Sequence, residues 1–168
     1  QRCYAKNLNI TGTQYIGGIS GRGCNAYIHE AIVQDCTITA TSHVGGIIGY
    51  VYPDVYTRTN ATHIYNTYNN AKIIASTNVG GLVGYLDNSK MNNRTYISRL
   101  YRNYVACSEI NGTNNVGSII GRLEKPVYYL DDANKYYYGN LAVTNISEEM
   151  PIGNINNLIE TKTNAITV

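Results

Sequence analysis

The chain has 168 residues, of which 14% are charged, and a formal net charge of +2. It lacks the concentrated basic face that nucleic-acid binding needs: Arg94, Arg99 and Arg102 come nearest, and they are spread through a tyrosine-rich segment. No apolar run of about 20 residues is present to span a bilayer, and the start at Gln1, without a leader or anchor motif, is that expected of a mature or excised piece of a larger protein.

Taken in chain order, one phrase recurs four times. Ile10 and Gly12 precede Ile16-Gly17-Gly18-Ile19, which closes on Gly21. Ile38 and Ala40 precede Val44-Gly45-Gly46-Ile47 and Gly49; Ile73 and Ala75 precede Val79-Gly80-Gly81-Leu82 and Gly84. The fourth copy runs from Ile110 and Gly112 through Val116-Gly117-Ser118-Ile119 to Gly121. The first glycine of the pair recurs at intervals of 28, 35 and 37 residues, the signature of a solenoid, in which each unit buries its apolar side only against its neighbours.

The local pattern predicts strands. Thr37-Ile38-Thr39-Ala40-Thr41 alternates with period two and is dense in β-branched residues. Val44 and Ile47 are three apart, so both turn inward only if the backbone bends, and the glycine pair between them permits a bend or bulge. Stacked copies then align three interior ladders: Ile10, Ile38, Ile73 and Ile110; Ile16, Val44, Val79 and Val116; Ile19, Ile47, Leu82 and Ile119. The predicted fold is an all-β parallel β-solenoid of about four coils, with repeats over about 1–30, 31–63, 64–99 and 100–123. The connections Tyr50 to His63 and Leu86 to Arg99 are expected to project from one side.

With 17 Tyr but no Trp or Phe, many rings are expected at the core boundary, where a phenol hydroxyl finds a partner or water. Past Leu123 the phrase stops. Residues 124–168 are read as a Tyr-rich cap or a passage into a following domain, with a final strand between Asn140 and Ile146 and a short helix carrying Ile155, Leu158 and Ile159.

Val-Gly-Gly-Ile/Leu-Ile/Val-Gly-Tyr, as in Val44 to Tyr50 and Val79 to Tyr85, resembles the GLUG motif, and Tyr68 to Ser76 resembles the segment that precedes it. The likeness covers roughly Gln1 to Leu123; Ser118 departs from it in the fourth copy, as do Ser20 and Arg22 in the first. GLUG repeats occur in microbial surface proteins, including large adhesin-like proteins, and in the non-catalytic region of IgA-cleaving metallopeptidases. The resemblance implies a secreted or cell-surface scaffold and no catalytic residue in this segment.

Candidate chemistry is sparse. His29-Glu30-Ala31-Ile32-Val33 opens like a zinc-protease helix, but Val33 stands where the second histidine is required. His29, His43 and His63 fall in separate repeats, and His43 is expected to be a solvated turn residue. The loop Gly18 to Gly23 matches neither a phosphate loop nor a nucleophile elbow. Asp131, Asp132 and Asn134 form either a solvated turn or a weak calcium site. No cofactor or metal is expected, and no catalytic residue. Cys3, Cys24, Cys36 and Cys107 contain no CxxC pair; Cys24 and Cys36 straddle one loop and are the disulfide to test, against four free thiols.

Tyrosine is the remaining candidate for function. Tyr50 and Tyr85 are equivalent, with Arg22 and Arg122 at the ends of their row, and form either an outer binding face or a plain structural ladder. The loops Tyr52 to Tyr56 and Tyr96 to Tyr104 are further candidates. The sequence thus predicts a non-catalytic extracellular scaffold that contacts a host or cell-surface glycan or protein. Alternatives are an accessory substrate-positioning region of a larger secreted metalloprotease, a carbohydrate-binding or carbohydrate-active β-helix, and self-association through end coils.

Overall fold

A computed structural model describes residues 2–52, 61–88, 98–124, 137–143 and 152–156. Among them the chain winds through five parallel sheets, visited in the same order in each coil. Sheet A stacks Tyr4–Lys6, Ile32–Gln34, Tyr68–Asn69, Tyr104–Val105 and Leu141–Ala142. Sheet B stacks Asn9–Thr11, Thr37–Thr39, Lys72–Ile74 and Ile110–Asn111; sheet C stacks Gln14–Gly17, Ser42–Gly45, Thr77–Gly80 and Asn114–Gly117. Sheet D stacks Ser20–Gly23, Ile48–Val51, Val83–Asp87, Ile120–Glu124 and Ile152–Asn156, and sheet E stacks Tyr27–His29, His63–Tyr65, Arg99–Tyr101 and Tyr137–Tyr138.

All three expected ladders form. Ile10, Ile38, Ile73 and Ile110 are register partners in sheet B, and Ile16, Val44, Val79 and Val116 in sheet C. The third runs through the C-to-D turn, where the Ile19 N–H donates to the Ile47 carbonyl, Ile47 to Leu82 and Leu82 to Ile119, at 3.1, 3.0 and 2.9 Å. Ile38, Val44, Ile47, Ile73, Val79 and Leu82 are fully buried. Each such side chain contributes about 1.5–3 kcal/mol when removed from water, so the ladders supply the main cohesion between coils.

The sequence missed four inward rows, of which the one in sheet A is Ala5, Val33, Asn69 and Val105. Ile48, Val83 and Ile120 stack in sheet D, as do Val51, Leu86 and Leu123; Ile64 and Leu100 stack in sheet E. Continuous apolar filling of this kind is what strands buried on one face and stacked in parallel require.

The corner expected at the glycine pair forms, with bends at 18–19, 46–47, 81–82 and 118–119 between sheets C and D, and a second distortion that was not expected precedes it. Tyr15, His43, Asn78 and Asn115, one before each sheet C apolar residue, all have φ near 55°, the left-handed region. The register skips them, so each is a bulge that re-aims the following Val or Ile inward. The glycines serve the corner and also remove bulk around it. A Cβ on Gly49 would strike the backbone of Tyr15, Ile16 and His43, and one on Gly46 would fall inside the Asn69 carboxamide. Sheets C and D therefore fold closely against each other where the glycines remove side-chain bulk.

Asparagine lines one corner. Between sheets E and A, Asn103 Nδ2 donates to the Ile64 carbonyl and to Asn140 Oδ1, while Thr67 Oγ1 donates to Asn103 Oδ1 at 2.8 Å. Asn140 Nδ2 in turn donates to the Leu100 carbonyl. These side chains satisfy turn carbonyls and N–H groups that the strands leave unpaired.

Two expectations are corrected. Ile155 lies in the strand Ile152–Asn156, paired to Ile120–Glu124, rather than in a helix; Leu158, Ile159, Asp131, Asp132 and Asn134 lie outside the described residues. The described part of the tail thus adds strands to sheets A, D and E, and Leu141–Ala142 is the strand expected after Asn140. Cys24 and Cys36 are not bonded: all four cysteines are free thiols. Cys24 follows the sheet D strand and Cys36 precedes the sheet B strand, so the sheet E and A strands between them hold the pair at different corners of the coil.

Candidate interaction face

The register places Arg22, Tyr50, Tyr85 and Arg122 in one outward row of sheet D, as the sequence predicts. The bulged residues of sheet C turn their side chains onto the same face. The Tyr50 and Tyr85 rings stack at 5.1 Å, and Tyr15 stacks on Tyr50 at 5.3 Å. The Arg22 guanidinium carbon sits 5.0 Å from the Tyr15 centroid, 5.9 Å from Tyr50 and 5.1 Å from Tyr52, and that of Arg122 sits 4.9 Å from Tyr85. The row is thus a cation–aromatic stack capped by an arginine at each end.

His43 belongs to this cluster and is not the solvated turn residue expected. Its ring lies 5.0 Å from Tyr15, 5.4 Å from Tyr85 and 5.9 Å from Tyr50. Burial, together with the Arg122 charge, holds its pKa below the ordinary histidine value. Asn78 Nδ2 lies 3.2 Å from His43 Nε2, and Asn115 Nδ2 donates to Asn78 Oδ1 at 2.6 Å, so a polar ladder runs beside the aromatic one.

Tyr50 OH donates to Asp87 Oδ2 at 3.3 Å. Burial, then the Asp87 carboxylate, push the Tyr50 phenol well above its ordinary value, and the same two causes push Tyr85 up to about 12. Both phenols therefore stay neutral at physiological pH and act as hydrogen-bonding groups.

A second aromatic surface lies on sheet E; the sequence singled out only its Tyr101, as part of a loop, and that residue lies instead in the strand Arg99–Tyr101. His29 stacks on Tyr65 at 5.2 Å, Tyr65 on Tyr101 at 4.8 Å, and Tyr27 on His63 at 4.8 Å. His29 is therefore an outward strand residue. Glu30 turns the corner at φ 53°, and Val33 is buried in sheet A, so the His-Glu-x-x-Val segment is strand-corner-strand. Among the described residues no group of three His, Cys, Asp or Glu side chains converges to hold a metal ion.

The buried thiols have structural surroundings. Cys36 Sγ donates to the Gln34 carbonyl at 3.3 Å. Cys107 receives Asn69 Nδ2 at 2.9 Å, and burial pushes its thiol up to about 12. It is an unreactive neutral thiol.

Of the candidate loops, Tyr52, Tyr101 and Tyr104 are described, whereas 53–60 and 89–97 lie outside the described residues. Their flanking strands show that both segments cross from sheet D to sheet E. Among the described residues no helix is long and apolar enough to cross a membrane. Compared with known protein families, curated proteins and solved structures, the chain matches none of them.

Proposed function

We propose that this chain is a non-catalytic, GLUG-like segment of an extracellular or cell-surface protein, working by display and contact. The supporting observation is where its length varies. From the Ile38 row to the Val44 row, and from the Val44 row to the Ile48 row, the spacing is constant in every coil. The crossing from sheet D to sheet E is different: Cys24 to Ala26 suffice in the first coil, but 52–62, 88–98 and 125–136 are used in the next three. Insertions gathered at one corner of a solenoid mark the side on which such proteins usually bind. Those segments carry Tyr52, Tyr56, Tyr96, Tyr128 and Tyr129 with Asn60, Asn92 and Asn93, the side chains of adaptable contact surfaces.

The test is adhesion with the loops removed. Beads carrying the protein are compared with beads carrying a variant in which 53–60 and 89–97 are cut to a link as short as Cys24 to Ala26. Attachment to intact cells and to matrix-coated surfaces is counted by cytometry, with circular dichroism checking both folds. Loss of attachment in the trimmed variant is expected. Equal attachment by both, or attachment by neither to any surface, overturns the reading.

A further inference from the structure

Sheet A presents an outward row that is aliphatic or tyrosine in all five coils: Tyr4, Ile32, Tyr68, Tyr104 and Leu141. Ile32 and Tyr104 each have a coil above and below and are still 39% exposed. Coils before the first or after the fifth therefore lengthen this face without covering it. Its rings do not use up one another's faces as those of sheets D and E do. Ile32 separates Tyr4 from Tyr68, and Tyr68 meets Tyr104 at 45° with centroids 5.7 Å apart. Polar groups border the row. At the corner from sheet E, two residues before it, stand Arg2, Glu30, Asn66 and Arg102; on the side of sheet B stand Lys6 and Gln34, with Asp35 at the turn. An apolar centre inside a polar rim is the anatomy of a protein–protein contact, and aliphatic Ile32 and Leu141 suit a protein surface better than sugar rings.

We propose that sheet A is a dimer face, on which a second copy of this chain packs with its coils running in the opposite direction. The charges choose both partner and direction. Glu30 and Arg102 stand one coil to either side of Asn66, and opposite charges placed evenly about a centre are complementary to their own copy. A face packed on its copy is related to it by a two-fold axis, which can run along the stack or along the strands. An axis along the stack sets equal coils together and exchanges the flanks. Arg2 then meets the partner's Lys6, and Glu30 meets the partner's Gln34 beside the partner's Asp35, so like charges are brought together. An axis along the strands keeps each flank on its own copy and sets the first coil on the fifth, the second on the fourth and the third on itself. Glu30 then meets the partner's Arg102 at two symmetric places, Ile32 packs on the partner's Tyr104, and Tyr68 on the partner's Tyr68. Arg2 faces the partner's Gly139 and Lys6 the partner's Val143, so no like charges stand directly opposite. Glu30 accepts Arg2 Nε within its own chain at 2.6 Å, and a carboxylate has room for a second arginine. Four strand spacings make the face about 20 Å long. A contact of that reach lies toward the small end of specific interfaces, so a dimer in micromolar equilibrium is expected. The D-to-E crossings lie at another corner, and this pairing does not rest on the display reading.

The experiment is analytical ultracentrifugation of the purified chain across the micromolar range, at low and at high salt. A reversible monomer–dimer equilibrium is expected. Ile32→Glu, with native circular dichroism, is expected to weaken it at least ten-fold, because a carboxylate is pressed onto the partner's Tyr104. Thr39→Glu, on an exposed residue of sheet B, is expected to leave it unchanged. Glu30→Arg and Arg102→Glu each set like charges opposite one another and are expected to weaken pairing several-fold, less so at high salt. The double variant, with the signs exchanged, is expected to pair nearly as tightly as the native chain. A chain that stays monomeric throughout overturns the proposal and leaves the face to a different occupant. So do a dimer unchanged by Ile32→Glu, equal weakening by Thr39→Glu, a charge exchange that fails to restore pairing, and open-ended assemblies, which a closed two-fold pair does not form.

Discussion

Replacing Asn69 by Val tests whether the stack depends on polar groups inside its core. Asn69 is fully buried in the inward row of sheet A, between Val33 and Val105, so Val is the residue its neighbours already use. Its coil is also the tight one: the sheet B isoleucine follows five residues after Val33 and Val105 but four after Asn69. The Asn69 carboxamide closes that shorter turn by accepting the Ala71 N–H at 3.1 Å, and it donates to the Gly81 carbonyl at 2.7 Å. Asn69→Val leaves both backbone groups without that partner, at about 1–3 kcal/mol each. Burial of the valine methyls returns about 1–2 kcal/mol. The net loss is about 3 kcal/mol, which for a chain of this length lowers Tm by roughly 10 °C. Asn69→Asp is expected to be worse, because a carboxylate cannot donate to Gly81 and carries a charge into the core. Thermal and urea unfolding followed by circular dichroism measure both. If Asn69→Val is as stable as the native chain, the short turn does not rest on the carboxamide and the reasoning fails.

Three further outcomes follow from the same packing. Ile73→Ala, in the centre of the sheet B ladder, is expected to cost about 3–4 kcal/mol in urea unfolding, since the coils above and below keep the cavity from collapsing. The pKa values of His43 and His63 are both lowered, first by burial and then by Arg122 and Arg99 respectively, so the fold holds them neutral. Their contribution is complete above the ordinary histidine pKa and is lost as pH falls through the folded values, so Tm should drop between neutrality and pH 5. His43→Asn, the residue found at Asn78 and Asn115 in the same bulge, should make that drop smaller. Tyr50 and Tyr85 are shifted the other way, so their stabilisation is complete below the ordinary tyrosine pKa near 10 and is lost as pH rises beyond it. Absorbance titration of the phenols should show Tyr50 and Tyr85 ionising only well above pH 10, together with unfolding; ionisation of both near pH 10 would contradict the half-buried row.

The sequence by itself determined the stack. A recurring apolar residue, a glycine pair and a closing glycine suffice, because parallel stacking puts like above like and every coil faces the same steric demand. That is why the Ile38, Val44 and Ile47 ladders, and the Arg22–Tyr50–Tyr85–Arg122 row, were legible before any coordinates. Tertiary structure decided what depends on a neighbouring coil or a facing sheet. The left-handed bulge at His43 is invisible in composition, since Tyr, His and Asn all occupy it, and only the fold turns that ring from solvent into the tyrosine cluster. The separation of Cys24 from Cys36 follows from corners, not from sequence distance. The continuation of the stack through Ile152–Asn156 escaped notice because hydrogen bonding to the coil before it, rather than any repeated phrase, holds that strand in place. Arg22 and Arg122 read alike in the row; what separates them is whether a carboxylate stands two residues on, close enough in the folded strand to close the fork.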